Sequence, residues 1–313
     1  MFSFAFLFKV IVYSALAFSL ILAYKVYWFL CPGANEPYLN RVLFHPYKVK
    51  QYDSTMYEIA GVVGKDIEFK AGDSPVTLHG VMFRVPDEKF FAIINHGNGG
   101  NVYGCKSAIE ALVKAGVSVF TYDYRGYGKS GGSPSVKGVV EDAVAAYELV
   151  VDKYKVDTNK LIIYGASLGS GVTSELMKLR PRAAGVILDS PFISPEKLAK
   201  EKTPYFNVYP SSMWFKPTLD NMSLVAGEHP PLLIVAAERD GVIPSSHARK
   251  LFRSATGDKQ CVIMKNSEHC WFSNDQAIYH QSIQNFIRKL SEQSSRGKSA
   301  SRSKSPLVVA RAI

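Results

Sequence analysis

The chain reads as an α/β protein with a mostly parallel sheet covered by helices on both faces, and three observations predict this. Short apolar runs, among them Phe90-Phe91-Ala92-Ile93-Ile94, Leu161-Ile162-Ile163-Tyr164 and Pro231-Leu232-Leu233-Ile234-Val235-Ala236-Ala237, have the length and unbroken hydrophobicity of strands buried on both sides. Helix-patterned segments separate them, and strand-helix alternation builds parallel sheets through crossover connections. Residues 60–290 are enough for one α/β core, and the 47% hydrophobic content suits a buried sheet plus a membrane segment.

In chain order, strands are expected at about 66–70 and 78–85, followed by alternating strands and helices to about residue 290. Helices are expected over about 102–115, 135–153, 168–179, 245–254 and 274–290. No repeat of fixed period is visible.

Ahead of that domain, residues 1–31 read as a transmembrane anchor. Only Lys9 and Lys25 interrupt the apolar and aromatic run, and Val10–Leu30 approaches the roughly 20 residues a spanning helix needs. Lys25 would snorkel to an interface lined by Tyr24, Tyr27 and Trp28. Ala15-Leu16-Ala17 offers a signal-peptidase site, but apolar residues continue well past it, and bulky Leu30 disfavours lipoprotein cleavage before Cys31. Arg41, Lys48 and Lys50 follow the span and only Lys9 precedes it, which favours a single-pass protein with its main domain on the cytoplasmic side. Residues 32–59 then read as a linker.

The formal charge of +10 is partly concentrated in residues 291–313, where Arg296, Lys298, Arg302, Lys304 and Arg311 lie among serines; this segment reads as a disordered basic tail. No aromatic residue interleaves those charges, so no nucleic-acid partner is expected. The four cysteines, Cys31, Cys105, Cys261 and Cys270, show neither disulfide-framework nor metal-ligand spacing, and no cofactor is expected. Cys31, beside the span, is placed either to take an acyl chain or to remain an ordinary membrane-edge thiol. Asn221-Met222-Ser223 is a glycosylation sequon that would matter only on a lumenal face.

The chemistry concentrates at Gly165-Ala166-Ser167-Leu168-Gly169, between a strand-like run and a helix-like segment. A sharp turn there would expose the Ser167 hydroxyl as a nucleophile, with glycine needed on either side where other side chains would collide. A base and its orienting acid follow in the order this turn predicts: Asp240 at the end of an apolar strand, and His269 in the loop after another. Asp189, ending a further strand candidate, is the alternative acid. His96-Gly97-Asn98-Gly99-Gly100 follows Phe90–Ile94, and the backbone N–H groups of Asn98 and Leu168 would bind a developing oxyanion. Gly126-Tyr127-Gly128-Lys129-Ser130-Gly131 mimics nucleotide fingerprints. However, a phosphate loop would need glycine at Asp123, and a dinucleotide turn should open the first βαβ unit. A tight loop anchored by Arg125 accounts for the same glycines.

With these parts in order, residues 60–290 resemble the α/β-hydrolase superfamily, and more narrowly its small membrane-anchored serine hydrolases, a branch related to serine aminopeptidases and lysophospholipase-like enzymes. The resemblance rests on the His-Gly-Asn loop, Asp123-Tyr124-Arg125-Gly126-Tyr127-Gly128-Lys129-Ser130, the serine turn, the acid loop and the final histidine. Ala237 and Glu268 stand where that family usually carries glycine. The resemblance implies an α/β-hydrolase fold and a Ser167–His269–Asp240 triad that cleaves acyl bonds through an acyl-enzyme. Residues 191–224 read as a short lid whose Phe192, Tyr205, Phe206, Tyr209, Met213, Trp214 and Phe215 either receive a small acyl or lipid-like substrate or pack into the core. An amidase of the aminopeptidase kind, and a hydrolase-fold binding protein without turnover, are the alternatives.

Overall fold

The computed structural model describes residues 4–53 and 57–302. Helices α1 (Phe4–Leu30) and α2 (Glu36–Leu43) precede strands β1 (Glu58–Ile59), β2 (Val62–Lys70), β3 (Thr77–Phe83) and β4 (Phe90–Asn95). Then come α3 (Lys106–Lys114), β5 (Val117–Tyr122), α4 (Val136–Glu148), β6 (Leu161–Ala166), α5 (Leu168–Leu179) and β7 (Gly185–Asp189). The chain continues through α6 (Pro195–Lys202), α7 (Asn221–Ala226), β8 (Leu232–Ala237), α8 (Ser245–Ser254), β9 (Lys259–Met264) and α9 (Gln276–Arg302).

The strands form one sheet in the order β1-β2-β3-β5-β4-β6-β7-β8-β9. The β1–β2, β2–β3 and β3–β5 pairs are antiparallel, and every pair from β5 to β9 is parallel. Every residue of β4, β5, β6 and β8 is buried, as strands packed on both faces require. Alternation along β4 sends Phe91 and Ile93 to one face, where they pack with Val139, Leu176 and Leu251 of α4, α5 and α8. Ala92 and Ile94 face the other way, toward Ile109 and Leu112 of α3 and Ile283 and Phe286 of α9.

This geometry positions the site. After β4 the chain adds β5 on one side and, after it, β6 on the other, so the loops leaving β4 and β6 diverge above adjacent strand ends. A crevice opens at such a switch point, where open α/β sheets bind ligands.

Several expectations change. The segment expected as a linker is folded into the domain: α2 occupies its middle, Phe44 and Tyr52 are buried, and the Tyr52 hydroxyl donates to Asp123 Oδ2 at 2.9 Å. Its aromatic rings supply enough apolar area to hold it down. The last helix runs on to Arg302 instead of giving way to disorder at residue 291. Each added residue of a formed helix gains a backbone bond, which carries the helix past residue 291 even though the hydroxyls of Ser291 and Ser295 compete for the carbonyls of Ile287 and Ser291. The rest of that expected tail, 303–313, lies outside the described residues. The helix expected over 135–153 ends its α-helical part at Glu148 and finishes in a π turn, Leu149–Lys153. Within α1, Phe8–Leu30 is long and apolar enough to cross a membrane, with a mean hydropathy of 1.8, and it is exposed except at its last turn, where Tyr27 and Leu30 are half-buried.

Arg125 anchors its glycine loop to carboxylates. Its backbone N–H and Nε donate to Asp142 at 2.7 and 2.9 Å, and Nη2 donates to Glu141 at 3.0 Å. Asp142 is fully buried, and that burial pushes its carboxyl pKa upward against the pull of Arg125. Replacing Arg125 by Met strands the carboxylate, so R125M should cost about 3–5 kcal/mol, and adding Asp142→Leu should recover much of it. Denaturant titration of the two variants checks both outcomes.

Candidate active site

β6 delivers Ser167 to α5 through one residue at φ +51° and ψ −115°, a left-handed backbone that a side-chain-bearing residue adopts only under constraint. The constraint is steric. A Cβ on Gly169 would lie 2.0 Å from the carbonyl oxygen of Asn95, and one on Gly165 would lie 2.4 Å from that of Gly169. The flanking glycines therefore let α5 start directly against β4, which lifts the serine out of the sheet. The Ser167 N–H is held by the carbonyl of Asp189 at 2.8 Å.

Asp240 and His269 come from the loops after β8 and β9. His269 Nε2 lies 2.8 Å from Ser167 Oγ, and its Nδ1 lies 2.6 Å from Asp240 Oδ2. Asp240 Oδ1 accepts the N–H groups of Val242 and Ile243 at 2.8 and 2.7 Å, and its side chain is only 1% exposed. An acceptor-only carboxylate at Nδ1 selects the tautomer that carries its proton there. Nε2 is left free to accept from the serine.

Asn98 and Leu168 line the same cavity, of about 490 Å³, with Ser167 and His269. Leu168 is the first residue of α5, where backbone N–H groups lack helical partners. The Asn98 loop is held from several sides. Asn98 Oδ1 accepts from the His45 N–H at 2.9 Å and the Tyr127 hydroxyl at 2.8 Å. The Tyr124 hydroxyl donates to the carbonyl of His96 at 3.1 Å, and buried Asp123 accepts the Val102 N–H at 2.8 Å. Burial pushes the His96 pKa down, which suits a ring that bonds the Gly97 carbonyl through Nδ1. Sequence reasoning singled out the Asp123–Ser130 segment but not its work of gripping the loop after β4. His45 gave no signal at all.

Asp189, the alternative acid, bonds elsewhere. Its Oδ2 accepts from the Tyr164 hydroxyl, which also contacts the Tyr279 hydroxyl at 2.9 Å, and its Oδ1 accepts from Ser190 at 3.0 Å. Burial raises its pKa from 3.8 to about 6.

Beyond the glycine loop and the serine turn, the cavity's apolar walls are Leu43, Phe192, Leu198, Val242, Ile243 and Trp271. Of the aromatic residues expected to receive substrate from the lid, Phe192 alone is among these wall residues. Tyr209, Trp214 and Phe215 are buried in the core, and Tyr205 packs edge-on and Phe206 at a tilt against Tyr209. Cys105 and Cys270 also border the cavity, Cys270 with its Sγ 3.9 Å from His269 Nε2; both thiols are raised by burial. Cys31 is buried with its thiol on the carbonyl of Met213, which closes it to acylation in this fold. Asn221 is likewise buried and bonded to Ser170, Ser174 and Phe192, so the sequon cannot accept a glycan.

The profile of the serine aminopeptidase family S33 matches residues 87–223. An uncharacterized protein of Escherichia coli O157:H7, YfhR, is 30% identical over 197 residues, 61% of this chain and 68% of the relative. The alpha/beta hydrolase domain-containing protein 17C of Xenopus tropicalis is 29% identical over 212 residues, 66% of this chain and 64% of that one. The chain belongs to the α/β-hydrolase superfamily. Solved α/β-hydrolase structures share the fold at low identity: the esterase Pf2001 of Pyrococcus furiosus superposes with a TM-score of 0.64 at 19% identity, over 79% of this chain and 97% of that one. A serine hydrolase without a lid, XC6422 from Xanthomonas campestris, gives 0.55 at 18% identity, over 72% and 94%.

These geometries separate the two carboxylates by experiment. Asp240→Asn puts the imidazole in the wrong tautomer and should cut turnover about 10⁴-fold, whereas Asp189→Asn should keep most of it. Because the folded-state pKa of Asp189 is raised, its stabilisation is complete below the ordinary value of 3.8 and is lost as pH rises through about 6. Asp189→Asn should therefore flatten the fall in melting temperature across that window, as thermal melts at stepped pH would read.

Proposed function

We propose that the chain is a membrane-anchored serine hydrolase that cleaves acyl ester or thioester bonds. The observation that carries this reading is the relay of Ser167, His269 and Asp240 at 2.8 and 2.6 Å over an apolar-walled cavity. In this mechanism Ser167 attacks the acyl carbon while His269 Nε2 takes the hydroxyl proton, and Asp240 stabilises the imidazolium that forms. The N–H groups of Asn98 and Leu168 receive the oxyanion. His269 returns the proton to the leaving oxygen or sulfur, and water, activated by the same imidazole, releases the acyl group and restores the serine.

The family profile's description favours a second reading, an amidase acting on aminoacyl groups. Such a substrate carries an ammonium group that needs a carboxylate or several acceptors once it leaves water. Apart from the relay's own His269, no Asp, Glu, Lys or Arg is among the described residues that line the cavity, and Leu43, Phe192, Leu198, Val242, Ile243 and Trp271 give it apolar walls. That lining supports an uncharged acyl chain over an amino acid.

Labelling with a fluorophosphonate and turnover on acyl esters, acyl thioesters and aminoacyl amides test the proposal. Wild type should label and should prefer the first two classes. Ser167→Ala should lose labelling and about 10⁶-fold in turnover. A folded wild-type protein that neither labels nor turns over any of them would favour the non-catalytic binding reading, and cleavage of the amides alone would favour the amidase.

A further inference from the structure

The final turn of α1 is bonded to the lid. The Tyr209 hydroxyl donates to the carbonyl of Tyr27 at 2.7 Å, and the two rings lie 4.8 Å apart. The Tyr27 hydroxyl meets Met213 Sδ at 3.3 Å, and the Gly33 N–H donates to the Met213 carbonyl at 2.9 Å. Gly33 leaves room for that approach, since a Cβ there would fall 2.5 Å from the Met213 oxygen. Helix α2 closes on the same turn through Tyr38, whose ring lies 5.3 Å from that of Phe29.

A helix rises 1.5 Å per residue, so Tyr27 lies only about 4.5 Å before the end of the apolar span at Leu30. Whatever touches Tyr27 from the folded domain lies at the level where the span meets the lipid headgroups. The lid segment in that place exposes apolar surface: Val208 is 53% exposed and Tyr205 41%. On α2, Val42 is 52% exposed. Both elements lead to the cavity, since Leu43 ends α2 and Leu198 of α6 precedes the lid turn, and both line it. The lid also reaches the acid loop, where Lys202 Nζ donates to the carbonyl of Gly241, beside Asp240.

Resting on the reading of α1 as a membrane anchor, we propose that the lid turn around Val208 is a lipid-docking surface. Its partner is the headgroup zone of the bilayer that α1 crosses, and the contacts of Tyr27 and Gly33 hold the lid there. The anchor then does more than tether: it fixes one wall of the active-site cavity against the membrane. Aromatic and aliphatic side chains at headgroup depth suit this placement.

The full chain with Val208→Trp, reconstituted in phosphatidylcholine vesicles whose acyl chains are brominated close to the headgroup, tests the contact without using catalysis. The emission added over wild type, which keeps Trp28, Trp214 and Trp271, should be lost in brominated vesicles and retained in unbrominated ones. Adding Gly33→Val should restore it. Unquenched added emission from a chain that withstands a carbonate wash overturns the docking proposal and leaves the anchor intact. Loss of the chain in the wash overturns the anchor and this proposal together, while fluorophosphonate labelling of Ser167 still reports on the hydrolase reading separately. Should V208W fold poorly, Val208→Asp gives a second measure: KM for a vesicle-borne ester should rise about tenfold, with KM for a short soluble ester unchanged. A KM for the vesicle-borne ester that stays at the wild-type value, or a rise of the same size for both substrates, overturns the proposal.

Discussion

One imidazole imposes its demands on the whole upper face of the sheet. His269 has to stand within hydrogen-bonding distance of a hydroxyl on one side and a carboxylate on the other, at 2.8 and 2.6 Å, and the three groups leave three different strands. β6, β8 and β9 must therefore end at matched heights, and their parallel registers, fixed through β7, set those heights. A one-residue slip would turn every side chain of a strand to the opposite face. β6, β7 and β8 are fully buried, which makes such a slip costly, because their apolar residues already have places in one of the two layers. The core thus supplies what the site needs most, a rigid frame.

Buried carboxylates then fix the loops that the frame leaves free. Asp123, Asp142 and Asp189 are all buried, but they resolve the cost of burial differently. Asp123 gathers so many donors, His79 and the N–H groups of Val102 and Lys129 among them, that its pKa falls despite desolvation. Asp142 has a guanidinium but little else, and its pKa rises. Asp189 relies on neutral hydroxyls, and its pKa climbs to about 6. The number of donors that converge on the carboxylate, more than the charge of any one of them, decides whether desolvation is offset. The carboxylate that grips the Asn98 loop is the one kept most firmly ionised.

What the sequence made legible follows from what is local in it. Ser167 stood out because its turn is a pattern of five adjacent residues with a steric reason for each glycine, and the strands around it are continuous apolar runs. Asp240 and His269 became legible through chain order, which the topology then explains, since each successive parallel strand adds one loop to the same edge. Long-range facts were harder to read. Nothing near Tyr127 says that its hydroxyl reaches Asn98, 29 residues away, nor does anything near Asn221 say that its amide is consumed inside the core. The lid stayed ambiguous for a related reason: an aromatic cluster looks alike whether it faces substrate or packs on itself, and Tyr209 and Trp214 pack.

That packing gives the lid a different part to play. Rings that bury one another are rigid, and this group includes Tyr27 of the apolar span, so the last turn of the span, the lid and α2 form one packed unit instead of a tether and a flap. Leu43 and Leu198 carry that unit to the cavity wall. Motion of α1 relative to the sheet would then pass directly into the width of the cavity, because packed side chains transmit displacement with little compression. The same coupling runs outward: a chain bound in the cavity presses on residues continuous with the span. On the anchor reading proposed above, position in the bilayer and occupancy of the site would be coupled through this unit, which would make α1 part of the apparatus that shapes the cavity.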